Sequence, residues 1–113
     1  MDILVVENDD ECRIGVSKIL MDRGHRVISG RNLEEARGVL GCLRFDVLVS
    51  DISLPDGSGL ELMAEAEKRQ EWKRAVALTG FMDPDEREQS LRAGFDEYLT
   101  KPVDVYRLRS LIA

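Results

Sequence analysis

The chain has 113 residues, 43% of them hydrophobic and 34% charged, with a formal net charge of −6 and two cysteines. That length can bury one core without a disulfide or structural metal. No apolar stretch approaches the roughly 20 residues that span a bilayer, and no basic-then-apolar leader is recognisable. Basic residues are scattered among acids, which argues against direct nucleic-acid binding. Cys12 and Cys42 lack paired ligand spacing and read as reduced helix residues of a cytoplasmic protein.

Ile3–Val6 is a short β-rich run that ends in Glu7-Asn8-Asp9-Asp10. Cys12, Val16, Ile19 and Leu20 then recur at helical spacing until Gly24. His25, the sole histidine, reads as a loop residue before a weaker second strand, Arg26–Ser29. Asn32 as N-cap and Glu35 three residues on open a helix whose apolar face is Leu33, Ala36, Leu40 and Leu43. The third strand, Asp46–Ser50, runs into Asp51 and then the turn-rich Ile52-Ser53-Leu54-Pro55-Asp56-Gly57.

Leu60, Met63 and Ala64 begin the face of a third helix, after which Trp72 is expected to cover the core edge. Ala75–Leu78 is the fourth strand and stops at Thr79. Asp83-Pro84-Asp85-Glu86 is a helix start with an N-cap Asp, Pro at the first helical position and acids in the first turn. This fourth helix ends at Gly94, and its only large apolar residue is Leu91. A helix so weakly anchored suits a switching surface and equally suits a short solvated helix. Tyr98–Thr100 forms the fifth strand, followed by Lys101-Pro102 and a last helical stripe of Val105, Leu108, Leu111 and Ile112.

Strands alternating with helices predict a parallel sheet covered on both faces. Ligands of such sheets bind outside the carboxyl ends of the strands. Those ends carry an acidic cluster, the lone carboxylate of Asp51, the hydroxyl of Thr79 and the ammonium of Lys101, a set suited to a divalent cation and a phosphoryl group.

Four features together resemble the response-regulator receiver domain of two-component signalling, over essentially the whole chain. They are Glu7-Asn8, Asp51-x-x-x-Pro55-x-x-x-Gly59, Thr79-Gly80 and Lys101-Pro102. Ser50–Leu62 and Ala93–Val103 further resemble receivers of hybrid sensor histidine kinases. The resemblance implies a flavodoxin-like (βα)5 three-layer sandwich with a five-stranded parallel sheet of order 2-1-3-4-5. It implies that Asp51 accepts a phosphoryl group from a phosphohistidine. Mg2+ (or Mn2+) would be held by Glu7, Asn8, Asp51 and the backbone carbonyl of Ser53. Lys101, across a cis Lys-Pro bond, would pair with the acceptor, and Thr79 would hydrogen-bond a phosphoryl oxygen. Tyr98 is placed as the switch aromatic. Phe81, two residues after Thr79, would border the phosphoryl group and tune its lifetime.

The chain departs from the family pattern at Asn8, where most members carry the acid that binds the metal directly. An amide can ligate Mg2+ but brings no charge, so either the metal site is weakened or the domain is phosphorylated little. Asp9 would compensate if the loop turned it inward. The implied partners are a sensor histidine kinase or histidine phosphotransfer domain, and an output domain or partner protein. The latter would meet the face made by the fourth helix, fifth strand and fifth helix, where a homodimer would also form. A phosphorylation-independent pseudo-receiver is the competing expectation. An aspartyl phosphatase would need a general acid where Ser53 stands, and a flavin site would need a less acidic first loop. The stop near the fifth helix reads as a single domain, 1–113, either cut from a larger protein or standing alone.

Overall fold

The computed structural model describes residues 1–69, 72–80 and 83–112. Five strands, β1 (Asp2–Val6), β2 (Arg26–Gly30), β3 (Val47–Asp51), β4 (Arg74–Thr79) and β5 (Glu97–Thr100), form one parallel sheet of order β2-β1-β3-β4-β5. Between them lie α1 (Asp10–Asp22), α2 (Leu33–Leu40), α3 (Gly59–Glu67) and α4 (Pro84–Ala93), and α5 (Val105–Ile112) follows β5. This is the expected flavodoxin-like order. Register sets the functional rim: Val6 pairs with Ser50 and Asp51 with Leu78, so the chain leaves β1, β3 and β4 side by side.

Strand alternation divides the core in two. Leu4, Val6 and Leu48 pack with Leu33, Ala36, Leu62, Met63 and Phe95 on one face. Ile3, Val5 and Val49 pack with Val16, Leu20, Leu108 and Ile112 on the other. The central strand β3 is buried along its whole length, as a doubly covered strand must be.

Helix starts follow the side-chain chemistry. Asn32 Oδ1 accepts from Glu35 N at 2.8 Å, and Asp83 Oδ1 accepts from Glu86 N at 2.8 Å. Glu35 returns a bond to the N–H of Arg31 rather than of Asn32, one residue off a strict capping box.

Several expectations need correction. Helix α2 ends at Leu40, so Leu43 belongs to the following turn and is exposed, and Cys42 lies in that turn rather than in a helix. The third strand begins one residue later than expected and includes Asp51 itself. A two-residue antiparallel pair, Ser53–Leu54 with Gly57–Ser58, occupies what reads as plain turn. Helix α4 is weakly anchored, as its composition suggests: Leu91 is 52% exposed, and Ser90 is the buried residue of that helix. Trp72 does pack at the core edge, half-buried. Among the described residues, no helix is long and apolar enough to cross a membrane.

Candidate functional site

Three strand ends bring the rim together. Glu7 follows β1 and is fully buried, Asp51 closes β3, and Thr79 closes β4. Lys101, just past β5, reaches across the rim: its Nζ lies 2.8 Å from Asp51 Oδ2 and also donates to Glu7 Oε1. The backbone N–H of Lys101 donates to the Thr79 carbonyl at 2.8 Å, which carries β5's pairing past its last residue. The Lys101–Pro102 peptide bond is cis.

Asp51 is held on both oxygens, with Oδ1 accepting from Ser53 N at 3.2 Å. Its backbone is fixed by Gly59, whose N–H donates to the Ile52 carbonyl at 2.8 Å. A Cβ at Gly59 would stand 2.1 Å from the Asp51 carbonyl oxygen, so only glycine permits this approach.

Burial dominates the electrostatics of Glu7. Desolvation and the hydrogen bond and charge of Asp51 raise its pKa to about 7, outweighing the ammonium of Lys101. For Lys101, burial pulls downward, but its bonds to Asp51 and Glu7 prevail and its pKa is raised. Cys12, at the start of α1, is pushed up to about 11 by burial and by Glu7.

The remaining expected residues are placed less centrally. Asn8 is exposed at the rim. Asp9 is not turned inward: it is the N-cap of α1, its Oδ2 accepting from Cys12 N at 2.9 Å. Tyr98 is half-buried beside α4, with the Arg87 guanidinium 5.5 Å from its ring centroid. Phe81 lies outside the described residues.

Among the described residues, no cluster of three or more carboxylate, imidazole or thiol side chains converges anywhere. A cation at this rim would therefore rely on Glu7 and Asp51 with neutral oxygens. That donor set fits Mg2+, which uses one or two carboxylates and keeps its waters. Glu7 Oε2, buried and without a hydrogen-bond partner, is an orphaned acceptor that such an ion, or a water on it, would satisfy.

Two neighbours of the site were missed in the sequence, Cys12 beside Glu7 and the buried Arg13. The signal for Arg13 was present: it shares a helix face with Val16, Ser17 and Leu20, so a basic residue points inward.

Residues 3–113 match the family model of the response regulator receiver domain. A 14.6 kDa protein from the sodA1 3′ region of Leptolyngbya boryana is 38% identical over 99% of the chain and 87% of its own length. The response regulator protein PilR of Pseudomonas aeruginosa is 42% identical over 75% of the chain, an alignment that covers 19% of PilR. A Burkholderia pseudomallei response regulator, solved with a phosphorylated aspartic acid, calcium ion and citrate, superposes with a TM-score of 0.90 at 28% identity, covering 99% of this chain and 66% of that one. The chain thus spans nearly all of one relative and a small part of another. It belongs to the response regulator receiver domain family of two-component signalling.

Proposed function

We propose that this domain accepts a phosphoryl group on Asp51 from a phosphohistidine of a sensor kinase or phosphotransfer domain. The observation that carries this reading is the Lys101 ammonium bridging Asp51 and buried Glu7 at the joined ends of β1, β3 and β5. In the transfer, an Asp51 carboxylate oxygen forms a bond to phosphorus as the P–N bond breaks, and the leaving imidazole nitrogen takes a proton. Lys101 then follows the negative charge as it spreads to the phosphoryl oxygens, while Ser53 N holds the other carboxylate oxygen in line. Thr79, at the adjacent strand end, offers its hydroxyl to a phosphoryl oxygen. Mg2+ held by Asp51, Glu7, the Asn8 amide and the Ser53 carbonyl would neutralise charge on the transferred group. The phosphorylated aspartic acid and calcium ion of the Burkholderia relative support this assignment of chemistry.

The output follows from the same rim. Thr79 drawn toward a phosphoryl group opens space behind it, which the Tyr98 ring fills, biasing a two-state α4–β5–α5 face. Leu91 and Tyr106, 52% and 81% exposed on α4 and α5, supply apolar contact for a partner there.

Incubation with acetyl phosphate tests the reading by intact mass. A Mg2+-dependent gain of one phosphoryl group, absent in Asp51→Asn, is the expected result; no gain at any Mg2+ concentration would sink it.

A second reading, a phosphorylation-independent interaction module, is favoured by one observation: Asn8 is uncharged and Asp9 is committed to capping α1. Asn8→Asp separates the two. If a weak metal site is the sole defect, this variant takes up phosphate at markedly lower Mg2+ than wild type. An interaction module takes up none in either form.

A further inference from the structure

Arg13 is 6% exposed on α1, in a position where an aliphatic side chain would join Val16 and Leu20 in the core. Arginine is rarely buried unless paired, and a buried ion pair is weak evidence of a stabilising role. Its bonds go to the loop after β1. One terminal nitrogen donates to the Glu7 carbonyl at 3.2 Å and to the Asn8 carbonyl at 3.4 Å, and the other to Asp10 Oδ1 at 2.6 Å. Its own backbone N–H donates to the Asp9 carbonyl at 2.9 Å. The last is the ordinary first bond of the helix, so the guanidinium itself ties the loop at Glu7, Asn8 and Asp10.

We propose that Arg13 is a positioning residue that locks the β1–α1 loop so that Glu7 and Asn8 present their oxygens to a divalent cation. The two carbonyls it grips belong to the peptide units on either side of Asn8, so the clamp fixes the backbone from which the amide projects. This matters more here than in a loop with two acids. An amide contributes no charge and attracts a cation only from the correct position. Asp10 answers the guanidinium at 2.6 Å, so the clamp adds no net positive charge beside a rim that has two carboxylates and one ammonium. The proposal rests on the phosphoacceptor reading for its cation but is tested apart from it.

The test is Mn2+ binding to the full chain, followed by the electron paramagnetic resonance signal of free Mn2+, for wild type, Arg13→Ala, Arg13→Lys and Asp10→Asn. Thermal unfolding in EDTA reports the fold of each, and uptake from acetyl phosphate is read in parallel. Outer-shell partners of metal ligands are worth roughly 10–100-fold in affinity, so Arg13→Ala is expected to weaken Mn2+ binding about tenfold. Arg13→Lys, which keeps the charge but not the fork, recovers part of that loss. Asp10→Asn, which keeps the clamp but frees its charge, weakens binding less than Arg13→Ala.

Mn2+ affinity in Arg13→Ala equal to or tighter than wild type would overturn the proposal, as would a wild-type protein that binds no Mn2+ at millimolar concentration. If Arg13→Ala does not fold in EDTA, Arg13→Lys decides: weaker binding supports the clamp and unchanged binding overturns it. Wild type that binds Mn2+ yet takes up no phosphate would sink the phosphoacceptor reading while the clamp stands. Normal uptake with unchanged affinity in the variants would do the reverse.

Discussion

On the α2 side of Asp51, residues 52–58 are stapled to the neighbouring helix; on the Thr79 side, α4 packs against α3 but buries a single residue. Asp56 reaches from the loop after β3 to accept the N–H groups of Leu33 and Glu34 at 2.8 and 3.0 Å, completing an N-terminal cap begun by Asn32. Leu33 is 1% exposed and lies so close to Gly57 that a Cβ there would stand 2.7 Å from its Cδ2. The Arg37 guanidinium grips Glu65 through two bonds of 2.6 and 2.8 Å, tying α2 to α3, though exposed pairs add little stability. By contrast, α4 buries only Ser90, exposes Leu91, and meets Tyr98 across a shallow groove lined by Asp83, Pro84, Arg87, Glu88 and Leu91. One flank is tied down beside Asp51, and the other buries a single residue of its helix. Elements that move in switching come from the low-stability end of a structure.

Leu33→Ala removes a fully buried side chain from the stapled flank and should cost about 2–5 kcal/mol in urea unfolding. A loss below about 1 kcal/mol would mean that this flank is not the rigid one.

Glu7 is fully buried at the rim between the two flanks. Its pKa of about 7 in the folded protein lies above the ordinary carboxylate value, so the folded state holds this proton more tightly than the unfolded one. Its contribution to stability is therefore complete below about pH 4.5 and lost as pH rises through about 7. In metal-free buffer, urea midpoints should decline across that window for wild type, and Glu7→Gln should flatten the decline. A wild-type profile that rises there would contradict the burial of Glu7.

Asp56→Ala should act locally. Amide exchange at Leu33 and Glu34 accelerates while β1 and β3 stay protected, and unchanged exchange would show that Asn32 suffices as the cap. The smallest effect is expected at Leu91→Ala, within about 0.5 kcal/mol of wild type, because an exposed side chain leaves no cavity.

Much of this was legible in the sequence because it is local. Runs ending in Asp51, Thr79 and Lys101 announce strand ends, and Asp83-Pro84 announces a helix start. For Asp9 the sequence leaves an inward turn open, yet an Asp immediately before acidic first-turn residues is an N-cap, and the structure uses it as one. What was not legible is non-local. Asp56 caps a helix that starts 23 residues earlier, a pairing made by the parallel register of β2, β1 and β3. The extended face assigned to α2 failed at Leu43 because the helix stops at Gly41, while the hydrophobic spacing runs on.

The most direct test is amide hydrogen exchange by mass spectrometry, with Mg2+, before and after acetyl phosphate, in wild type and Asp51→Asn. Chemistry at Asp51 that is read out on one flank predicts changed exchange in α4, β5 and the start of α5, unchanged exchange in α2, and no response in Asp51→Asn. Equal changes in α2 and α4, or the same response in Asp51→Asn, would contradict it.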